Sequence, residues 1–386
     1  MVGKLNTRVI GMGVVALVLA SLTLILKKDS DLGMLHSQSP GISLTQFGDS
    51  KRSDQTSQES GFVGREVCRE CHENNFELHA RHAHASTFHQ VSQTQLPDVF
   101  AGSKFDGGKG YGIYEYFADD QRELFVRLPA EFDQQAFPLQ YALGSGQHAQ
   151  TMLTLTTATD GQTEGIEHRV SCYHNQRVGI TPGHSKMSPS NALELFGDMQ
   201  RGEPLQRCVY CHTTRGEVVD ATVKDLVASV NCEKCHGPGS EHVRLARKTP
   251  TPPKYSVGQE DWDVESEIQL CGDCHRLPKN LSEMEVREYP DLLARFQPVG
   301  MLRSRCYLES DGQMRCTTCH NPHQTIQEVS KDQHLRACIQ CHDDQNAEHV
   351  VCSVSKDSGC IECHMPALEM PEGLRFHDHW IRVRED

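Results

Sequence analysis

One five-residue word, Cys-x-x-Cys-His, occurs seven times in this chain and constrains its fold more than any other feature. The words are built on Cys68, Cys71 and His72; Cys208, Cys211 and His212; Cys232, Cys235 and His236; Cys271, Cys274 and His275; Cys316, Cys319 and His320; Cys338, Cys341 and His342; and Cys360, Cys363 and His364. Cysteines at i and i+3 and a histidine at i+4 share one face of a helical turn. That arrangement suits covalent haem attachment, in which two thiols add to the porphyrin vinyl groups and the histidine ligates iron. A lone word could be half of a zinc site. Seven pairs, each followed directly by histidine, do not fit zinc, which needs four ligands and has no reason to place histidine after every pair. Seven covalently attached haem c groups are therefore expected, with the word histidines as proximal ligands.

The rest of the composition agrees with a cofactor-built interior. Only 6% of the 386 residues are aromatic, so an ordinary apolar core is thin, and the macrocycles must supply what side chains do not. From Cys208 to Cys360 successive words begin 24, 39, 45, 22 and 22 residues apart, room for one helix and a loop each. The expected fold is mainly α with much irregular structure, a multihaem cytochrome c with a small β insertion around 105–180. Acidic residues outnumber Lys and Arg by 52 to 38, which argues against nucleic acid and for a basic docking partner.

Taken in order, Val9 to Leu26 is an apolar run flanked by Lys4, Arg8, Lys27 and Lys28, long enough to span a bilayer. Residues 1–28 are read as an uncleaved membrane anchor, with a cleaved signal peptide ending near Ala20 as the rival. Residues 29–61, rich in Ser, Gln, Asp and Gly, read as a flexible linker, and His36 within them as a solvated side chain. The remainder, 62–386, is expected to form one heptahaem domain containing a β-rich insertion at about 100–181. Its strands are expected at Tyr111 to Phe117, Glu123 to Leu128, Thr151 to Thr157 and Ile166 to Tyr173. After the first word, His79, His82, His84 and His89 offer a second axial ligand. Within the insertion, His148, beside Gly144 and Gly146, and His184, after Pro182 and Gly183, are the first candidates for further axial ligands, ahead of His168 and His174. Cys172 lies in an expected strand and reads as a buried free thiol.

Three stretches resemble a known group. Cys232 to Val243 reads CEKCHGPGSEHV, Cys316 to His323 reads CTTCHNPH, and the C-terminus reads CIECHMP followed by FHDHWIRV. They are similar to the multihaem cytochromes c related to the tetrahaem carrier that serves hydroxylamine oxidoreductase, and more distantly to pentahaem nitrite reductase. The resemblance runs over roughly Gly64 to Val383. It implies distal haem ligands at His242, His323, His379 and His84, and leaves out His377. Cys306 and Cys352 stand in similar contexts, and an oxidising compartment would allow a disulfide between them.

These readings imply a membrane-anchored, extracytoplasmic cytochrome of the bacterial cytoplasmic membrane, facing the periplasm. It would relay electrons through closely packed, mostly bis-histidine haems between redox partner proteins, either alone or as a subunit of a respiratory complex. The alternative is a multihaem oxidoreductase with one five-coordinate haem acting on a small nitrogen or sulfur compound. Against it, the chain has no Cys-x-x-Cys-Lys word.

Overall fold

The computed structural model describes residues 61–384, apart from 131–133, 185–187, 250–261, 289, 311–312, 343–351, 353 and 355–358. The anchor and linker expected at 1–28 and 29–61 lie outside the described residues except for Gly61. Among the described residues no helix is long and apolar enough to cross a membrane.

Strand-forming sequence between the first and second words builds two antiparallel sheets. The smaller joins β2 (Lys104–Asp106), β3 (Ile113–Ala118), β4 (Leu124–Arg127) and β5 (Ala136–Leu139) in sequence order. The larger runs β1 (Phe88–Gln90), β6 (Tyr141–Leu143), β7 (Ala149–Thr157), β8 (Thr163–Tyr173) and β10 (Gly197–Arg201), with β9 (Arg177–Ile180) also pairing with β8. Alternation sets the buried face of the smaller sheet: Tyr114, Tyr116, Leu124, Val126, Phe137 and Leu139 are all buried. They meet Phe196, the last residue of the helix Ala192–Phe196 before β10, stacked on Phe137 at 4.8 Å, and His168 of β8, whose Nε2 lies 2.9 Å from the Tyr116 hydroxyl.

β7 and β8 are buried almost without alternation because both faces are covered. The helix Gly202–His212 and the hairpin of β11 (Thr213–Val219) with β12 (Thr222–Ala228) cover the second face. Leu205, Val209, Val218 and Val223 there join Leu153, Leu155 and Phe88 in one apolar cluster. Gly165 permits this approach, since a Cβ at that position would sit 2.2 Å from Leu205 Cδ1. The mainly α expectation is therefore corrected to a mixed α and β fold. All four expected strands are present, but the sheets recruit short segments such as 177–180 and 197–201 that have no alternating apolar pattern of their own.

His168 is part of this core. Its Nδ1 donates to the Phe196 carbonyl at 2.8 Å, and burial pushes its imidazole down to about 3. Tyr116→Phe leaves the buried Nε2 of His168 without its partner, and should cost about 1–3 kcal/mol in chemical denaturation. The haem-binding residues should be unaffected.

Beyond Asn231 most elements are short helices, several of them started by a side-chain cap and several ending at a word. Asp263 accepts the Ser266 N–H at 2.8 Å to begin the helix Val264–His275. Ser330 and Gln333 form a reciprocal capping box at the head of Lys331–Ile339. His212, His236, His275 and His364 are each the last residue of a helix. Apolar support here is small, centred on Ile268, Leu277 and Met301. β13 (Ala367–Glu369) and β14 (Arg375–His377) form a final hairpin.

Candidate functional site

The words are drawn together by contacts between their own residues. The Cys68 thiol lies beside that of Cys232, Cys211 beside Cys274, and Cys271 beside Cys316. Cys338 lies within electrostatic reach of Cys319 and Cys360. Two buried glutamates fix this arrangement. Glu233, inside the third word, accepts backbone N–H groups from Val63 at 2.8 Å, Gly64 at 2.9 Å and Gly239 at 2.8 Å. Gly64 begins the helix Arg65–Ala80 that bears the first word, and Gly239 begins the helix Ser240–Ala246 that bears His242. Glu267, one turn before the fourth word, accepts from the N–H and hydroxyl of Thr317 in the fifth word, at 2.8 and 2.9 Å. Lys234 donates to the Tyr210 carbonyl of the second word at 2.7 Å. Sequence reasoning missed all three residues, because nothing in a Cys-x-x-Cys-His word or in the turn before it distinguishes a clamping side chain from a solvated one.

Four word histidines face a second histidine. His72 and His242 have ring centroids 6.3 Å apart and planes 24° from parallel. His236 and His323 are also 6.3 Å apart, at 7°. His320 and His379 are separated by 6.2 Å, and His275 and His84 by 6.0 Å. One metal held by two imidazoles through bonds of about 2.0–2.1 Å, with roughly 1.1 Å from nitrogen to ring centre, sets the centroids about 6.3 Å apart. Each pair thus has the spacing that one iron between its rings requires, as do His320 with His334 at 6.2 Å and His79 with His82 at 6.1 Å. Direct stacking of the rings would bring them closer, as His82 and His84 are at 4.4 Å.

The tautomers agree. Nδ1 of His212 donates to the Thr87 carbonyl at 3.1 Å, that of His364 to Arg382 at 2.9 Å, and that of His379 to His377 at 2.9 Å. A carbonyl accepts only, so the proton sits on Nδ1 and the Nε2 lone pair is left for a metal. Burial, with the neighbouring imidazoles of His82 and His275 adding to it, pushes His84 down to about 3. Burial followed by His379 and His334 pushes His320 down to about 4. Both are neutral at pH 7, the form that binds metal. Paired thiols in helical turns, facing imidazoles at this spacing and free Nε2 atoms together form a donor set that fits haem c.

The other candidates are placed differently. His148 packs its ring 4.9 Å from that of Phe376, and His184 is buried with Nε2 3.3 Å from Glu167 Oε2. Among the described residues neither ring is brought against a word histidine. His89 is held by the Ser86 hydroxyl at 2.9 Å. Cys172 is buried in β8. No disulfide joins Cys306 to Cys352: Cys306 is half-buried near Cys319 and Cys341, whereas Cys352 is exposed near Cys360.

Comparison with known proteins gives matches to two family descriptions, "Doubled CXXCH motif" over residues 310–347 and "Cytochrome c554 and c-prime" over residues 172–237. A curated relative, the multiheme cytochrome MtrA of Shewanella baltica (strain OS185), is 23% identical over 175 residues, 35% of this chain and 51% of that protein. The chain thus spans about half the length of the curated relative it matches. The crystal structure of the outer cell wall cytochrome OcwA is similar at a TM-score of 0.46 and 15% identity, over 84% of this chain and 80% of that one. By its haem-attachment words and its matches to these two family descriptions and to MtrA, the chain is similar to the multihaem c-type cytochromes, with haem c as the cofactor they support.

Proposed function

We propose that the chain is an extracytoplasmic electron-transfer protein with seven haem c groups, tethered to the bacterial cytoplasmic membrane by residues 1–28 and facing the periplasm. Its relatives in this reading are the tetrahaem carriers that serve hydroxylamine oxidoreductase. Its donor and acceptor are other redox proteins, either soluble or within a respiratory complex. The observation that supports the reading is the set of four facing pairs, His72 with His242, His236 with His323, His275 with His84, and His320 with His379. Haem c, once bound, supplies a one-electron couple at each word. The chain's part is to close both axial positions with imidazole, so that small ligands cannot enter, and to hold neighbouring words in contact through Glu233, Glu267 and Lys234.

Electron paramagnetic resonance and carbon monoxide titration test this. Six-coordinate low-spin signals should dominate, and a pyridine haemochrome assay should give seven haems per chain. His323→Ala should convert one haem, that of Cys232 and Cys235, to a high-spin form that binds carbon monoxide. An unchanged low-spin spectrum in that variant would remove His323 from the ligand set.

The second reading, an oxidoreductase, rests on one position. His212 is half-buried and its Nδ1 is held by Thr87, yet among the described residues no second imidazole faces its ring. The charged group in reach is Glu167. A small nitrogen or sulfur compound would enter opposite His212. Binding of one carbon monoxide or nitrite per chain to the unmodified protein would favour this role, and complete indifference to both would end it.

A further inference from the structure

Glu167 in β8 and Asp198 in β10 are directly opposed across an antiparallel pair, so both carboxylates emerge on one face of the sheet. Like charges placed this way repel. His184, from the turn after β9, leans over the same spot with Nε2 3.3 Å from Glu167 Oε2. One donor atom from each of the three side chains lies within 4.8 Å of the others. Among the described residues the nearby Arg169 is engaged elsewhere: it donates to the carbonyls of His184 and Gly107 and lies over the Tyr111 ring. Arg201 pairs with Glu164 and Asp160. Arg295 is within electrostatic reach of Glu167 but makes no ion pair with it.

The histidine adds a buried donor to the two carboxylates. Only 4% of the His184 side chain is exposed, and its Nδ1 is buried without a hydrogen-bond partner. With its proton on Nδ1, the neutral ring turns the Nε2 lone pair toward Glu167 as a third donor. Glu167 is 36% exposed, which gives a cation a way in and leaves water to complete its coordination.

We propose that Glu167, His184 and Asp198 form a mononuclear site for a divalent transition-metal cation, separate from the haem irons. One imidazole and two carboxylates favour zinc or manganese over calcium, which takes oxygen donors alone. The site does not depend on whether the chain is a carrier or an oxidoreductase.

The test is elemental analysis of the full haem-loaded protein, stripped with chelator and then dialysed against zinc or manganese chloride. About one zinc or manganese per chain is expected beyond the haem iron. Asp198→Asn and the double variant Glu167→Gln with His184→Gln should each lose it while keeping the wild-type haem count and Soret spectrum, which reports that they have folded. Haem-loaded wild-type protein that retains neither metal overturns the proposal. So does retention of the same amount by folded variants, which would place the ion elsewhere.

Discussion

Serine substitution at Cys316, Cys319, Cys338, Cys341, Cys360 and Cys363 should abolish order through most of the chain after Asn231 while leaving the sheets folded. The reason is the uneven distribution of apolar support. From Val264 onward the buried apolar side chains among the described residues are Ile268, Leu277, Val299, Met301 and Met370. At about 1.5–3 kcal/mol each, these five cannot offset an ordering cost of roughly 1–2 kcal/mol for every residue fixed. The macrocycles have to make up the difference. Between Phe88 and Val223, by contrast, Tyr114, Phe137, Leu155, Phe196 and their neighbours bury a conventional core. Limited proteolysis should reduce the variant to a resistant fragment spanning about Phe88 to Ala228, and far-UV circular dichroism should keep its β component. Resistance of the full-length variant would show that the C-terminal segments fold without haem.

Glu233→Ala should be the most damaging single substitution outside the words. One buried carboxylate accepts three backbone N–H groups, and truncation strands all three, so a loss of about 3–5 kcal/mol is expected. The damage should also be local. Gly64 and Gly239 begin the two helices that carry His72 and His242, so releasing both frees the two rings from their 6.3 Å spacing. Denaturant unfolding should show the lower midpoint, and absorption spectra should show a high-spin fraction near one haem. Glu233→Gln, which keeps one acceptor oxygen, should fall between. A variant with wild-type stability and spectrum would show that the clamp is dispensable.

The attachment words were legible in the sequence. A covalent attachment word is local chemistry, since its three functional side chains fall within five residues and share a face whatever the surrounding fold. His242 and His323 follow their words closely enough in sequence for motif resemblance to find them, and the structure sets both against word histidines. The sheet was less legible. β7 and β8 announce themselves by composition, whereas β9 and β10 are strands because β8 offers them an edge. His184 illustrates the same limit: beside Pro182 and Gly183 it reads as a loop histidine free to reach a haem, and only the return of the chain through β10 puts Asp198 and Glu167 around it.

The sequence by itself determined where each attachment word lies and which histidine follows its cysteines, because those residues fall within one helical turn. Only the tertiary structure decided which words touch, which distant imidazole faces which word, and which carboxylates hold the cluster together. Those pairings join residues far apart in the chain, Val63 and Glu233 by 170 positions and His84 and His275 by 191, and no local pattern records them. They are set by the closing of buried hydrogen bonds, which cannot be left unmade without cost.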